Sequence, residues 1–322
     1  MPPSLVAFAL PVVMFLIFWG LFYMPLAGLV RVLKMGAKSG SAWIARSRVG
    51  KWAIGHSGPL GPYAPVLLVV LLGGVAAIGS GYLFVQLAEQ IPLATSAVNS
   101  SDLAIHTWFG NERASAITAL FRAATTLGST IGLAAMAAVV AVILLFRKER
   151  ASAVFVMVTA AGGGILNFGL KMIFARARPD LVSAIAAARW FSFPSGHAMG
   201  SFITFGALAY IALRQHWRWG LKSACLAIAQ TIVILVGLSR VYLGVHWASD
   251  IAGAWSAGTV WLASAVVAFE MLLRLRQRRR GAAPTSPVFD VTDKPVVPSK
   301  NSIPAHMDDP PGQAGSGSRN KN

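Results

Sequence analysis

The sequence predicts an all-α polytopic membrane helix bundle, and three observations carry that prediction. Of the 322 residues, 56% are hydrophobic and only 12% are charged, about half the charged share of roughly 25% in soluble domains. The apolar residues gather into seven runs, most of them near the ~20 residues that a spanning helix needs. The basic residues collect in the connections between the runs, where topology selection places them.

In order, the runs are Ser4–Leu29, Ala64–Ala88, Thr125–Phe146, Ser152–Leu170, Phe191–Leu213, Ser223–Ser239 and Ile251–Phe269. Their apolar character is continuous rather than confined to a stripe, as suits helices that meet lipid or each other on every side. Arg31, Lys34, Lys38, Arg46, Arg48 and Lys51 separate the first two runs. Arg147, Lys148 and Arg150 separate the third and fourth, and Arg214, Arg218 and Lys222 the fifth and sixth. Arg274, Arg276, Arg278, Arg279 and Arg280 follow the seventh. If all seven runs span, these clusters share one side, which the positive-inside rule makes cytoplasmic. The loops Gln90–Ala124 and Ala175–Trp190 and the turn Val241–His246 then lie on the other side. Trp43, Trp52, Tyr63, Trp190, Trp217, Trp219 and Trp247 flank the runs, as in an interfacial belt.

Several function classes drop out. The formal charge of +17 would suggest nucleic acid in a soluble protein, but here it follows from the basic connections. Cys225 is the only cysteine, so neither a disulfide framework nor a thiolate metal site is expected. Met1–Ser4 lacks the basic stretch of a cleavable signal. The run Ala161–Gly164 reads as close helix packing rather than a phosphate loop, because no strand precedes it. Asn99-Ser100-Ser101 is a formal glycosylation sequon. From Gly281 onward, Pro, Ser, Gly and charge predict a disordered cytoplasmic tail.

Charged side chains near membrane depth are functional suspects, and they concentrate in three places at the outer ends of runs. The first is Lys171-x6-Arg178-Pro179, with Arg176 adding another charge; snorkelling residues at a helix end are the plain alternative. The second is Phe193-Pro194-Ser195-Gly196-His197. Pro and Ser are ordinary at a helix start, but a histidine in an apolar first turn is not. The N–H groups of that turn suit an anion, and Gly196 lets one approach. The third is Ser239-Arg240-x5-His246-x3-Asp250. If the helix has begun by His246, the four-residue spacing puts His246 and Asp250 on one face. A carboxylate on one ring nitrogen fixes the tautomer and leaves the other a lone pair, as a histidine nucleophile requires. Phosphoryl transfer asks mainly for positioning and charge neutralisation, which Lys171, Arg178 and Arg240 can supply. Glu89, Asp102, Glu112 and Asp180 are scattered along the outer loops, so no metal and no cofactor are expected.

The ordered set resembles the three-part signature of the type 2 phosphatidic acid phosphatase family, whose superfamily includes the vanadium haloperoxidases. Every signature position is matched, over about Ala64 to Glu270. The resemblance implies a six-helix phosphatase core with one extra N-terminal transmembrane helix. The expected division is residues 1–63 (extra helix and basic connection), 64–273 (core) and 274–322 (basic stretch and tail). It also implies roles: His246 as nucleophile, Asp250 orienting it, and His197 protonating the leaving oxygen and then activating water. Lys171, Arg178, Ser195, Gly196 and Arg240 would hold the phosphoryl oxygens. Asp102 and His106 could form part of a lid. The expected partners are the bilayer and a membrane lipid phosphate: undecaprenyl diphosphate, phosphatidylglycerophosphate, phosphatidic acid or a lipid A phosphate. In a bacterium this would be an inner-membrane enzyme with a periplasmic site. A phosphotransferase using the same residues, or a lipid or anion transporter, are the alternatives.

Overall fold

The computed structural model describes residues 64–93, 95–111, 115–179 and 190–279. The extra run Ser4–Leu29, its basic connection and the tail from Gly281 lie outside the described residues. The elements are all helical: α1 (Ala64–Gln90), α2 (Ala97–Asn111), α3 (Ser115–Leu127), α4 (Thr130–Phe146), α5 (Arg150–Phe174), α6 (Gly196–Arg214), α7 (Trp219–Tyr242) and α8 (Ala248–Arg279). Four of them, α5 to α8, are long and apolar enough to cross a membrane, and the pair α3 and α4 would form a fifth span bent by 54°.

Two expectations change here. The outer loop Gln90–Ala124 contains α2 and most of α3, and the run Thr125–Phe146 is not one straight helix. The break has local causes. Ser129 Oγ accepts the Gly132 N–H at 3.0 Å and caps α4, stabilising a fresh helix start. Gly128 lies against Val236 of α7 with no room for a Cβ. α3 is thereby turned onto α7, where Thr118 Oγ1 bonds Tyr242 OH at 2.9 Å and the Phe121 ring lies 4.7 Å from that of Tyr242.

The glycine run of α5 is a close-packing seam. A Cβ on Gly162 would collide with the Trp261 indole of α8, and one on Gly163 would lie 2.6 Å from Ile203 Cδ1 of α6. Small residues bring helix backbones together where hydrophobic burial gives little drive between helices. Large apolar side chains such as Val158 and Ile165 remain exposed on the outside of α5, as a lipid-facing surface requires. Four residues join α6 to α7, which makes them antiparallel neighbours. At one end of the bundle Arg147 donates to Gln215, and Gln215 to Glu149, each at 3.2 Å. The opposite ends of α5 to α8 converge on the site.

Candidate active site

α5 stops at Phe174, where Ala175 adopts a left-handed conformation (φ 43°) and donates its N–H to Lys171 O at 3.0 Å. That conformation is uncommon outside glycine and turns the chain sharply off the helix. Two basic residues on either side of the turn then gather the neighbouring segments. Lys171 Nζ donates to Phe191 O at 2.6 Å and Ser192 O at 3.2 Å. Arg178 donates through Nε to Trp190 O at 2.9 Å and through Nη1 to Val245 O at 2.6 Å. Burial lowers Arg178 from its ordinary value, and the Asp250 charge opposes that shift.

The segment leading into α6 is held from beneath. Phe193 is buried, its ring 5.5 Å from Phe84 and 5.2 Å from Phe174. It lies on Gly253 of α8, where a Cβ would overlap the ring. Ser195 stands at the N-cap of α6 but makes no capping bond; its buried Oγ has no partner, while its N–H donates to Asp250 O at 3.2 Å. Gly196 opens the helix 3.1 Å from Asn167 Oδ1, measured from the position of a Cβ. The hydroxyl and the first N–H groups of α6 are therefore open to an anion.

His246 sits ahead of α8, not within its first turn as the four-residue spacing suggested, because the helix begins at Ala248. Gly244, at φ 76°, supplies the left-handed residue that reverses the chain. The pairing nevertheless forms, with His246 Nδ1 3.1 Å from Asp250 Oδ2. On the other side of the ring, Nε2 lies 3.1 Å from Arg178 Nη1. A carboxylate only accepts and a guanidinium only donates, so Nδ1 carries the proton and Nε2 presents a lone pair. Burial pushes the imidazole down to about 3 against the opposing hydrogen bond that Nδ1–H donates to Asp250, which keeps that lone pair available.

Asp250 is saturated. Its carboxylate accepts from His246 Nδ1, the Trp247 N–H at 2.9 Å, the Ser192 hydroxyl, and Arg176 Nη1 at 2.7 Å. Arg176 continues to Asp102 Oδ2 at 2.8 Å and Asn99 Oδ1 at 2.9 Å. Asp102 also accepts the Ser249 N–H at 2.9 Å and the Ser249 hydroxyl, so a residue of α2 satisfies a free N–H in the first turn of α8. Burial raises the Asp102 carboxyl above its ordinary value, opposed by these donors.

This network bears on three features of the sequence. Asp102 is a buried structural partner rather than a scattered loop acid or part of a lid. Trp247 is half-buried under the Arg176 guanidinium, 5.6 Å from ring centroid to Cζ, and donates Nε1–H to Ala177 O at 3.1 Å; it is more than a belt residue. The Asn99 amide is engaged on both sides, donating to Ile91 O and Leu93 O at 3.1 and 2.8 Å while accepting from Arg176, so the sequon does not offer a free side chain. Arg176, Ser192 and Ser249 were missed as site residues. A charge two positions before Arg178 was the one available signal.

Arg240 is buried near the end of α7, with Nη1 donating to Thr125 Oγ1 at 2.8 Å and Nε without a partner. His197, half-buried, lies within electrostatic reach of Lys171, Arg178, Arg240 and His246. Lys171, Arg178, His197, Arg240, His246 and Asp250 are therefore gathered at one end of the bundle. Among the described residues no group of three His, Cys, Asp or Glu side chains is placed to hold a metal ion. What the arrangement can do is bind a multiply charged anion between cations and a helix N-terminus, next to a neutral imidazole lone pair.

The chain is similar to known membrane phosphatases. The model of the PAP2 superfamily matches residues 151–274, the stretch holding every motif residue. Phosphatidylglycerophosphatase B of Bacillus subtilis is 29% identical over 190 residues, covering 57% of this chain and 91% of that protein. An undecaprenyl-diphosphatase of Sulfolobus acidocaldarius is 28% identical over 137 residues, or 41% of this chain and 62% of its own length. The crystal structure of a transmembrane PAP2 type phosphatidylglycerolphosphate phosphatase from Bacillus subtilis superimposes with a TM-score of 0.57 at 27% identity, over 61% of this chain and 96% of that one.

Proposed function

We propose that this integral membrane protein, whose residues 151–274 match the PAP2 superfamily model, is a lipid phosphatase working through a phosphohistidine on His246, without a metal ion. The observation that carries this is the His246 ring itself. Nδ1 is held by a saturated, buried carboxylate and Nε2 faces the cations. Lys171, Arg178 and Arg240 receive the phosphoryl oxygens together with Ser195 Oγ and the N–H groups at the start of α6. Arg178 lets go of Nε2 as it takes a phosphoryl oxygen. Nε2 attacks phosphorus, the N–P bond forms, and the P–O bond to the lipid breaks while His197 gives the leaving oxygen a proton. Water then attacks, passing a proton to His197; the new O–P bond forms and the N–P bond breaks. The cations supply the neutralisation that a divalent ion supplies elsewhere and would repel one here.

The substrate is a phosphate carried on an amphiphile, with its chain in the bilayer and its head at the helix ends. Phosphatidylglycerophosphate and undecaprenyl diphosphate are the first candidates, a choice supported by the names of the Bacillus subtilis and Sulfolobus acidocaldarius relatives, with phosphatidic acid behind them. With the basic connections inside, the site faces the outside of the membrane and the C-terminal tail the cytoplasm. The decisive experiment is phosphate release from these lipids by the purified protein beside its His246→Ala variant. The variant should fold and lose turnover by about 10⁴-fold or more; retained turnover would require another nucleophile. Activity should persist in excess chelator and yield to vanadate, whereas a strict magnesium requirement would remove the metal-free step.

A further inference from the structure

Asp102 belongs to none of the three motifs, yet it is only 3% exposed and ends a line of charges that reaches the nucleophile. Asp102 Oδ2 lies 2.8 Å from Arg176 Nη2, Arg176 Nη1 lies 2.7 Å from Asp250 Oδ1, and Asp250 Oδ2 lies 3.1 Å from His246 Nδ1. Charges at such burial are costly unless each is matched, so the balance of the set matters. Arg176 by itself would cancel Asp250, leaving nothing to offset a cationic ring. Asp102 cancels Arg176 instead, and Asp250 is left with one unbalanced negative charge.

That charge has a use in the reaction. When Nε2 bonds to phosphorus, Nδ1 keeps its proton and the ring becomes cationic, so the buried set becomes neutral in the phosphoenzyme. We propose that Asp102 and Arg176 are positioning residues for phosphoryl transfer. They fix the Asp250 carboxylate against rotation and hold the buried charge at the value the phosphohistidine requires. This rests on His246 being the nucleophile. It also couples the nucleophile to α2, which Asp102 ties to the first turn of α8 through Ser249.

Charge balance makes a prediction that simple packing does not. Asp102→Asn leaves the set neutral before reaction and Arg176→Met leaves it doubly negative, whereas the double variant restores one negative charge. In the full-length protein in detergent, each single variant should lower kcat by about 10- to 100-fold, with KM within about threefold. The double variant should regain kcat above either single one. Both single variants turning over within about threefold of the parent would overturn the proposal. So would a folded double variant whose loss is the product of the two single losses. Should the single variants fail to fold, the double variant decides alone: kcat within about tenfold of the parent supports the proposal, and a deeper loss sinks it. His246→Ala run in parallel keeps the two readings apart: turnover by that variant would remove the nucleophile and the charge balance with it, whereas its loss beside unaffected single variants would remove the charge balance alone.

Discussion

The two ends of α6 carry opposite answers to the same physical problem. At its C-terminus, Arg214 pairs with Glu270 of α8, Tyr210 donates to the same carboxylate, and the guanidinium lies 5.6 Å from the Phe269 ring. Each charge there has a counter-charge. At its N-terminus, about 26 Å away at 1.5 Å per residue, His197 and Ser195 face Lys171, Arg178 and Arg240. Here the Asp250 carboxylate is hydrogen-bonded to Arg176 and His246, the Ser195 Oγ and Arg240 Nε have no partner, and Lys171, Arg178 and Arg240 have no carboxylate bonded to them among the described residues. A polar cluster that satisfies itself stabilises helix packing, whereas one left short of acceptors is built to receive an anion.

Charge removal at each end can break this contrast. The largest effect belongs to Arg240→Ala, which should cut kcat/KM by about 10²- to 10³-fold at an unchanged thermal midpoint. Arg240→Lys should recover little of it, because an ammonium lacks the planar fork. A pH profile is the next test. The depressed His246 value means that Nε2 stays unprotonated as pH falls, down to about 3. Between pH 7 and 5, kcat/KM should therefore lose nothing to protonation of the nucleophile. After allowance for the ionisation of the substrate phosphate near 6, an acid limb at the ordinary histidine value of about 6.5 would contradict the buried geometry. At the other end, Glu270→Gln should leave kcat within about twofold and lower stability by about 1–2 kcal/mol, read as a lower thermal midpoint. A large loss of turnover there would mean that the closed cluster is not merely structural.

Much of the site was legible because short-range chemistry writes it into the chain. Lys171, Arg178, Ser195, His197, Arg240, His246 and Asp250 stand out as polar groups in apolar surroundings, with Gly196 among them, and they lie at or beside helix ends. The seam at Gly162 and Gly163 was also readable from side-chain size. Less legible was the break after Leu127, since Gly128 and Ser129 matter through Val236 and the α4 cap. The Asp102–Arg176 pair was hidden for a related reason: its members are 74 residues apart, and no local pattern joins them.

By itself, then, the sequence determined a helical bundle meant for lipid, the placing of its basic connections, and which side chains are too polar to be there without purpose. Periodicity, hydropathy and local spacing are properties of neighbours along the chain, so they survive in one dimension. The tertiary structure alone decided that α2 caps α8 through Asp102, that Arg176 turns to Asp250 while Arg178 turns to His246, and that His246 stands just outside its helix. Those choices depend on which buried charge meets which donor across distant segments, and only the folded arrangement fixes that pairing.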